Sequence, residues 1–351
     1  MRIAIFCYAQ EPPAWTPLAA GVGVGGSEEA VIHVSRRLAA RGHEVHVVNR
    51  TVGSPQVFEG VRWTSYEAAP VRLDVGVVWR RPGIAHRITD KPARGLYLWL
   101  HDWLPQGRVL QHLSAYRKVM VLSRFHRTRY PSVPPERVFQ TANGIDPHEL
   151  ALNIPRDPRL VVYGSCPTRG LRTLLQNWGA IRRAVPGARL NYFYGWENVR
   201  SNRPGHYARV KPQFDRLTAQ DGVRDLGRIS HAEVARQYAA AGIWAYPCTF
   251  PETSCISAMK AQAAGAVPAV IPTGALAETV GHGFATMRSY TDYDPAQLPR
   301  RVIEEWLGGL IDLLRSPERQ ASIRAGMRAE SLRRYSWENV VSAWEGEFAT
   351  A

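Results

Sequence analysis

The chain has 351 residues, 45% of them hydrophobic, which is enough for two domains with substantial cores. No apolar run approaches the roughly 18 residues of a membrane span, and the chain begins with a strand-like run, MRIAIF, rather than a signal-peptide pattern. These features argue against a secreted or membrane-spanning protein. They predict a cytoplasmic protein that is either free or attached peripherally to the inner face of a membrane.

The strong positive charge predicts an anionic partner. The formal net charge is +14 and the sequence pI is about 10, so the surface should attract nucleic acid, anionic lipid or a phosphorylated acceptor. Much of the excess is arginine scattered along predicted helices, which is equally typical of a solvated surface. The four cysteines lack C-x-x-C spacing, which favours reduced thiols over disulfides or a zinc site. Nothing in the sequence indicates the oligomeric state.

The amino-terminal elements predict a Rossmann-like domain. A strand over Arg2 to Tyr8 precedes a long loop, and a helix follows over Ser27 to Arg41, with Ser27 as its predicted N-cap. Gly42 ends this helix, and Glu44 to Asn49 supplies the next strand. This order of strand, helix and strand is typical of a parallel sheet covered by helices.

The glycines of the long loop leave a nicotinamide-dependent enzyme open as one alternative. Gly21, Gly23 and Gly26 formally match G-x-G-x-x-G. That fingerprint should follow its strand at once, whereas Gly21 comes well after Tyr8. The second strand should also end near an acidic residue, and it ends at Asn49 instead. The match is therefore a weak indication.

Two polar residues follow one of the later predicted strands of this domain. Strands are predicted over Asp74 to Trp79, Gly95 to Leu100 and Lys118 to Leu122. His101 and Asp102 come directly after the second of them. Open α/β sheets bind ligands at the carboxyl ends of their strands, so both residues are site candidates. A structural histidine with satisfied hydrogen bonds remains the alternative for His101.

A turn-rich segment, ANGIDP from Ala142 to Pro147, predicts the domain boundary. We therefore assign residues 1–150 to the first domain and 151–330 to the second, with a terminal helix over 331–351. The second domain begins another Rossmann-like series with a strand over Leu160 to Gly164, a helix over Leu171 to Ala184 and a strand over Arg189 to Tyr194.

The stretch from Phe250 to Pro268 carries the clearest site chemistry. After a strand ending at Pro247, Thr253 or Ser254 is predicted to cap a helix that Gly265 ends. The first N–H groups of such a helix suit a phosphate or pyrophosphate. Glu252, at the rim of that anion site, is suited to accepting hydrogen bonds from sugar hydroxyls. The pattern predicts a site for a phosphate-linked sugar, with a capped core helix as the alternative.

This stretch, FPETSCISAMKAQAAGAVPAV, resembles the donor-site signature of the retaining glycosyltransferases of family 4, which have the GT-B fold. Other motifs occur in the same order as in that family: the GG-S-E-E loop, a histidine after a strand, N-G-I-D at the domain boundary, an R-G loop and a W-E terminus. The resemblance implies an α/β fold of two Rossmann-like domains whose parallel sheets face a central cleft. The first would bind the acceptor and the second the nucleotide sugar, with the C-terminal helix packing back on the first.

The resemblance also implies roles for particular residues. His101, Asp102 and Glu252 are the expected catalytic residues, and Arg228 and Ile229 belong to the segment that receives the nucleobase. No catalytic metal or other cofactor is expected, because cations and backbone amides would neutralise the departing diphosphate of a UDP- or GDP-sugar. The expected donor-binding residues are Gly25, Gly26, Arg169, Arg228, Ile229, Thr253, Ser254, Cys255, Ile256 and Lys260.

The chain departs from the family pattern at three positions. Arg169 stands where the family has Lys, Ser165 stands where it has Arg, and Lys260 stands where it has the second Glu of its Glu-x7-Glu pair. Counting helix rotation from Thr253 predicts that Lys260 faces the same site, where it would replace the lost cation. The alternative is that Lys260 weakens donor binding. The protein would then be a weak or inactive member that acts as a binding or partner subunit.

Overall fold

The computed structural model describes residues 1–7, 15–21, 23–49, 55–287 and 298–350. Its contacts divide the chain into two compact units, one formed by Met1–Gly144 with Ser336–Ala351 and the other by Ile145–Tyr335. These divisions fall a few residues from the predicted ones after residues 150 and 330. The predicted strand end at Tyr8 lies outside the described residues.

The first unit is built on a mainly parallel sheet. Its strands are β1 Arg2–Phe6, β2 Glu44–Val48, β3 Gln56–Phe58, β4 Val61–Thr64, β5 Val75–Trp79, β6 Leu96–Trp99, β7 Lys118–Val121 and β8 Val138–Gln140. Within the described ranges their order is β3-β4-β2-β1-β5-β6-β7-β8, and the β3–β4 pair is antiparallel. β5 and β6 are buried throughout, as expected for central parallel strands. This confirms the predicted α/β class for the unit.

The first helix, α1, spans Gly26–Ala40 and begins differently from the prediction. Gly25, with extended backbone, is its N-cap, and no side chain caps it, so the assignment of Ser27 as N-cap was wrong. A Cβ at Gly25 would lie 2.5 Å from Glu28 Oε2, so glycine lets that carboxylate fold back on the helix start. Ser27 Oγ instead donates to Glu28 Oε2 at 3.0 Å.

The first unit also contains two short helices, α2 Gln106–Leu110 and α3 Arg124–Thr128. Ser123 is the N-cap of α3 and accepts a hydrogen bond from the backbone N–H of His126 at 2.9 Å. Such caps satisfy N–H groups that a helix cannot pair internally.

The last helix of the chain, α13 Trp337–Ala349, belongs to the first unit. Its apolar face is buried, at Trp337, Val340, Val341, Trp344 and Phe348. At its rim Arg41 Nη1 lies 2.6 Å from Glu345 Oε2, and Arg41 Nη2 lies 2.7 Å from Glu338 Oε2. Packing and ion pairs together hold this distant part of the sequence on α1.

The second unit repeats the architecture with an all-parallel sheet. Its strands are β9 Asp157–Tyr163, β10 Arg189–Tyr192, β11 Val223–Asp225, β12 Ala241–Pro247, β13 Val267–Ile271 and β14 Phe284–Ala285, in the order β11-β10-β9-β12-β13-β14 among the residues described. Its helices are α4 Pro147–Leu150, α5 Leu171–Ala184, α6 Glu197–Asn202, α7 Pro204–Thr218, α8 His231–Ala240, α9 Ile256–Ala264, α10 Leu276–Thr279, α11 Arg300–Arg315 and α12 Pro317–Arg334.

The two central strands of this unit, β9 and β12, are followed by polar loops at the same edge of the sheet. β9 and β12 are hydrogen-bonded neighbours, so their carboxyl ends lie side by side at one edge of the sheet. The loop to α5 follows β9, and the segment to α9 follows β12. Ser230 caps α8 and accepts a hydrogen bond from the Glu233 N–H at 3.2 Å. In the part of the chain that is described, no helix is long and apolar enough to cross a membrane.

Replacing Trp344 with alanine should destabilise the first unit. The indole is fully buried, its Nε1–H donates to Thr141 Oγ1 at 2.7 Å, and its ring meets that of Trp99 at 4.7 Å. Removing a buried aromatic side chain of this size costs about 3–5 kcal/mol. Urea unfolding checks this, with Trp103→Ala as control because Trp103 is 39% exposed. Equal losses in the two variants would contradict the packing argument.

Candidate functional site

Glu252 lies at the carboxyl end of β12, where the chain passes toward α9. It forms an isolated parallel bridge with Gly274, and its carbonyl accepts the N–H of Ala275 at 2.8 Å. Gly274 has φ +63°, and a Cβ there would lie 2.7 Å from the Glu252 carbonyl oxygen. Glycine is therefore required opposite Glu252 on both conformational and steric grounds. The bridge fixes the backbone of a residue that is only 5% exposed.

The Glu252 carboxylate is bound by side chains from two parts of the unit. Arg169 donates through Nη1 to Oε1 at 3.1 Å, and Tyr246 donates its hydroxyl to the same oxygen at 2.6 Å. The Tyr246 hydroxyl also lies 3.1 Å from Ser165 Oγ. A buried carboxylate requires such partners, because its burial without them would cost several kcal/mol. The loop after β9 and the end of β12 thus meet at one carboxylate.

Arg169 combines pairing with partial exposure. Its guanidinium packs 3.9 Å from the ring centre of Phe250, and its side chain is 35% exposed. Burial by itself would lower the pKa of Arg169, but the Glu252 carboxylate holds it well above its usual range. Burial, together with Cys248 and Glu252, raises the pKa of Tyr246 well above its usual value. The cluster therefore presents a permanent cation and a neutral hydroxyl donor.

The backbone around Arg169 is fixed by close contact with the end of β12. Gly170 has φ +143°, and a Cβ there would lie 2.3 Å from the carbonyl oxygen of Pro247. The Arg169 carbonyl accepts the N–H of Thr249 at 3.0 Å. Only glycine permits this approach, so Gly170 determines where the Arg169 side chain starts.

The helix after Glu252 begins later than predicted. Its N-cap is Cys255, with φ −100° and ψ 94°, and α9 starts at Ile256. The predicted capping roles of Thr253 and Ser254 are therefore wrong, because both precede the helix. Ser257 Oγ donates to the Gly164 carbonyl at 2.8 Å, which attaches the first turn to the end of β9. The start of α9, whose first N–H groups are suited to anions, thus lies at the same sheet edge as Arg169.

α9 ends at Gly265, as predicted, but the rotation count that directed Lys260 toward the site does not hold. Gly265 ends the helix in the left-handed conformation, with φ +94°. Counting rotation from Thr253 to Lys260 assumed that both belong to one helix, whereas Thr253 lies outside it. Lys260 is 6% exposed in a helix that is buried on nearly every side. Its proposed direction toward the site therefore loses its geometric basis.

Arg228 and Ile229 lie between β11 and α8, immediately before the Ser230 cap. β11 is the edge strand beyond β10, so this segment lies at the carboxyl side of the same parallel sheet. Both residues are partly exposed. Their expected part in receiving a nucleobase stays a prediction.

The first unit has a polar cluster of its own at the carboxyl ends of β1, β5 and β6, which are adjacent strands. Arg80, the first residue after β5, forms an ion pair with Asp102 through Nε. Its Nη1 lies 3.4 Å from Ser27 Oγ and 3.7 Å from Glu28 Oε1 at the start of α1. Arg80 was not among the predicted site residues. The rule that selected His101, a polar residue directly after a parallel strand, would also have selected it.

Arg80 adopts a backbone conformation that is unusual for its type. Its φ is +64°, in the left-handed region that side chains other than glycine rarely adopt. Its guanidinium carbon lies 4.9 Å from the ring centre of Trp79. Strained residues of this kind cluster at functional sites. Arg80 thereby connects the glycine loop at Gly25 and Gly26 with Asp102.

His101 lies against aromatic rings behind this cluster. Its ring centre is 4.5 Å from that of Trp99 and 6.2 Å from that of Trp79. Burial, and then the positive charge of Arg80 and His126, hold the pKa of His101 well below its usual range. The imidazole is therefore neutral near pH 7 and suited to hydrogen bonding rather than to ion pairing.

Comparison with known proteins identifies the fold. No family model and no curated protein matches the sequence. Solved structures that match include sucrose-phosphate synthase of Thermosynechococcus elongatus (16% identity, 100% of both chains, TM-score 0.72) and HepE of Anabaena in complex with UDP and glucose (16%, 100% of both chains, TM-score 0.72). A glycosyltransferase of Rickettsia africae matches at 13% identity over 99% of this chain and 97% of its own, with TM-score 0.70. The predicted GT-B fold is confirmed.

The stability of the first unit should fall in mild acid because of His126. Its imidazole is fully buried, and its Nδ1 accepts the Leu122 N–H at 3.2 Å. Burial lowers its pKa to about 4, despite an opposing effect of Asp102, whereas an unfolded histidine titrates near 6.5. Between these values the unfolded chain binds the extra proton, so stability decreases as the pH falls.

The expected decrease is about 1.4 kcal/mol per pH unit for this histidine. Urea unfolding from pH 7 to pH 4 should therefore show a shallower pH dependence for His126→Asn, which keeps an acceptor near Leu122, than for the parent. The exposed His86 supplies the control variant His86→Asn, whose profile should follow the parent. Identical slopes for His126→Asn and the parent would disprove the assignment.

Proposed function

We propose that the protein transfers a glycosyl group from a nucleotide diphosphate sugar to an acceptor hydroxyl. The observation that carries this proposal is the contact of Arg169 and Tyr246 with Glu252 at the start of α9. A permanent cation, a buried carboxylate and the amino-terminal end of a helix lie together at the carboxyl edge of a parallel sheet. Such edges bind ligands in open α/β sheets.

The two charges of the cluster suit the two parts of such a donor. Arg169 is exposed enough to reach solvent and would bind the diphosphate, helped by the amides at Thr253, Ser254, Cys255 and Ile256. Both described bonds to the Glu252 carboxylate end on Oε1. The other oxygen, Oε2, would then accept hydrogen bonds from hydroxyls of the donor sugar. Tyr246 keeps the carboxylate oriented for this role.

The reaction would need no metal ion. Arg169 and the helix amides would neutralise the charge that develops on the leaving diphosphate, which is the largest electrostatic requirement of the step. Retention at the anomeric carbon, with leaving-group phosphate assisting the incoming hydroxyl, is the stereochemistry that the family resemblance implies. His101 and Asp102 keep their predicted catalytic roles, with Arg80 holding Asp102 in place.

The structural neighbours support a nucleotide sugar as the donor in this proposal. HepE was solved in complex with UDP and with UDP-glucose, and another matching structure is a sucrose-phosphate synthase. A UDP-sugar is therefore the first donor to test, and a GDP-sugar the second. An anionic acceptor, whether lipid or nucleic acid, remains the expectation drawn from the +14 charge.

A catalytically weak binding protein is the competing function, because Ser165 and Lys260 replace family side chains. The contacts made by Ser165 argue for a working site, since its hydroxyl supports Tyr246 and through it Glu252. A thermal-shift screen of UDP-, GDP-, ADP- and TDP-sugars separates these functions from a nicotinamide-dependent one when NADPH is included. A bound ligand raises stability by mass action. Stabilisation by NADPH alone would contradict the proposal.

Replacing Glu252 with glutamine should lower turnover of the donor that the screen identifies. The amide keeps the shape and an acceptor for Tyr246 but loses the charge that strengthens hydrogen bonds from sugar hydroxyls. Losing about 1.5–3 kcal/mol in the transition state corresponds to a roughly ten- to 150-fold slower reaction. Rates of transfer and of donor hydrolysis measure this, with Glu318→Gln on α12 as the surface control. Parent-like rates in Glu252→Gln would refute the role.

Replacing Arg169 with alanine should weaken nucleotide binding. Loss of a charge-assisted contact costs about 1–3 kcal/mol, or roughly five- to 150-fold in Kd. Calorimetric titration with UDP checks this against Arg172→Ala, since Arg172 is an exposed arginine of the same unit. An EDTA-treated sample should bind and react as the untreated protein does. Unchanged UDP affinity in Arg169→Ala would rule out the diphosphate role.

A further inference from the structure

Three arginines converge on the carboxyl-terminal end of α9. Arg156 donates through Nη2 to the Ala264 carbonyl at 2.7 Å, and Arg324 donates through Nε to the Gly265 carbonyl at 2.8 Å. Arg328 donates through Nε to the Ala263 carbonyl at 3.2 Å. Three guanidinium groups from two distant parts of the sequence thus meet three successive carbonyl groups.

The three arginine side chains all lie close to Gly265, the residue that ends α9. A Cβ on this glycine would lie 2.8 Å from Arg156 Nη2, 3.0 Å from Arg328 Cδ and 3.1 Å from Arg324 Cδ. The three arginines therefore surround one point at the helix end. All three side chains are partly exposed, so a ligand in solution can reach them. We call Arg156, Arg324 and Arg328 the arginine cluster.

The charge of the arginine cluster is not balanced by carboxylates. Over the ranges that the structure describes, no Asp or Glu forms an ion pair with any of its three members. The end of a helix contributes only about half a negative charge. Three positive charges therefore exceed the local negative charge by more than two.

The effect on the arginines agrees with this imbalance. Burial, followed by the charges of Arg324 and Arg328, lowers the pKa of Arg156 to about 10. Burial and Arg328 also lower the pKa of Arg324. Repulsion within the cluster is thus stored in the folded protein, and a bound anion would relieve it.

The number of N–H groups is also larger than helix capping requires. A guanidinium has five N–H donors in a planar fork. Arg324 and Arg328 each donate through Nε to a carbonyl group at the end of α9. Their Nη groups are then left to donate to a further acceptor. Paired guanidinium forks of this kind match the oxygens of a phosphate group.

We propose that the arginine cluster is a binding site for a phosphate group. It is separate from the proposed donor site, because it lies at the opposite end of α9, a helix of nine residues and about 13 Å. The ligand is a phosphate-bearing anion, and both a soluble phosphate compound and a lipid headgroup supply that chemistry.

Inorganic phosphate is the first probe, compared with chloride at equal ionic strength by thermal shift and calorimetry. The parent should be stabilised and should bind phosphate, whereas Arg324→Gln and Arg328→Gln should bind it at least tenfold more weakly. Arg319→Gln is the matched control, because Arg319 is an exposed arginine of α12 outside the cluster. It should bind as the parent does.

Vesicles distinguish the two sources of the phosphate. The parent is sedimented with phosphatidylcholine vesicles that contain or lack phosphatidic acid, again beside Arg324→Gln and Arg319→Gln. Binding that depends on phosphatidic acid and is lost only in Arg324→Gln identifies a lipid headgroup, and phosphate binding without vesicle binding identifies a soluble ligand. Absence of both would overturn the proposal.

The stability of the variants without ligand separates binding from capping. If the arginines served only to cap α9, Arg324→Gln would lower the Tm in phosphate-free buffer and leave the phosphate response unchanged. The proposal expects Arg324→Gln to lose the phosphate response of the parent, whatever the loss of its bond to the Gly265 carbonyl does to the Tm without phosphate. If one of Arg324→Gln and Arg328→Gln fails to fold, the other variant and the phosphate response of the parent still test the proposal.

Discussion

The second unit depends on how one buried carboxylate is neutralised. Glu252 is withdrawn from water, and an ion in such a position costs several kcal/mol unless donors surround it. Arg169 and Tyr246 supply these donors, and both must approach closely. Gly170 and Gly274 permit that approach, since a Cβ at either position would overlap backbone atoms. The carboxylate connects the loop after β9 with β12, and the backbone bridge from Glu252 to Gly274 connects them with the segment after β13.

The sequence predicted the elements of this region better than the contacts between them. Apolar runs and turn residues located the strands and helices because these signals are local. The bond between Arg169 and Glu252 joins residues 83 positions apart, and only the family resemblance placed both in one site. Tyr246 was missed because it lies in a fully buried strand, where a tyrosine looks like any other core residue. Its position near the carboxyl end of that strand was the available signal.

The starts of the helices were predicted least well, for a physical reason. Ser27 and Thr253 have good capping side chains, yet Gly25 and Cys255 are the N-caps. Side-chain preference contributes about 1 kcal/mol at an N-cap, which backbone packing at a crowded sheet edge readily exceeds. Ser123 and Ser230 do cap their helices. Both failures therefore occur in loops beside a charged group, Arg80 at the start of α1 and Arg169 before α9.

The electrostatics of α9 connect the two anion sites that we propose. A helix dipole favours anions at its amino end and cations at its carboxyl end, each by about 0.3–1 kcal/mol near the surface. The cations of the arginine cluster satisfy the carboxyl end, and a donor diphosphate would satisfy the amino end. α9 is otherwise buried, so water screens its ends less than those of a surface helix. Occupying the arginine cluster with phosphate would reduce positive charge at one end without adding any at the other. The arginine cations at one end of α9 and a donor diphosphate at the other would therefore both interact favourably with the same helix dipole.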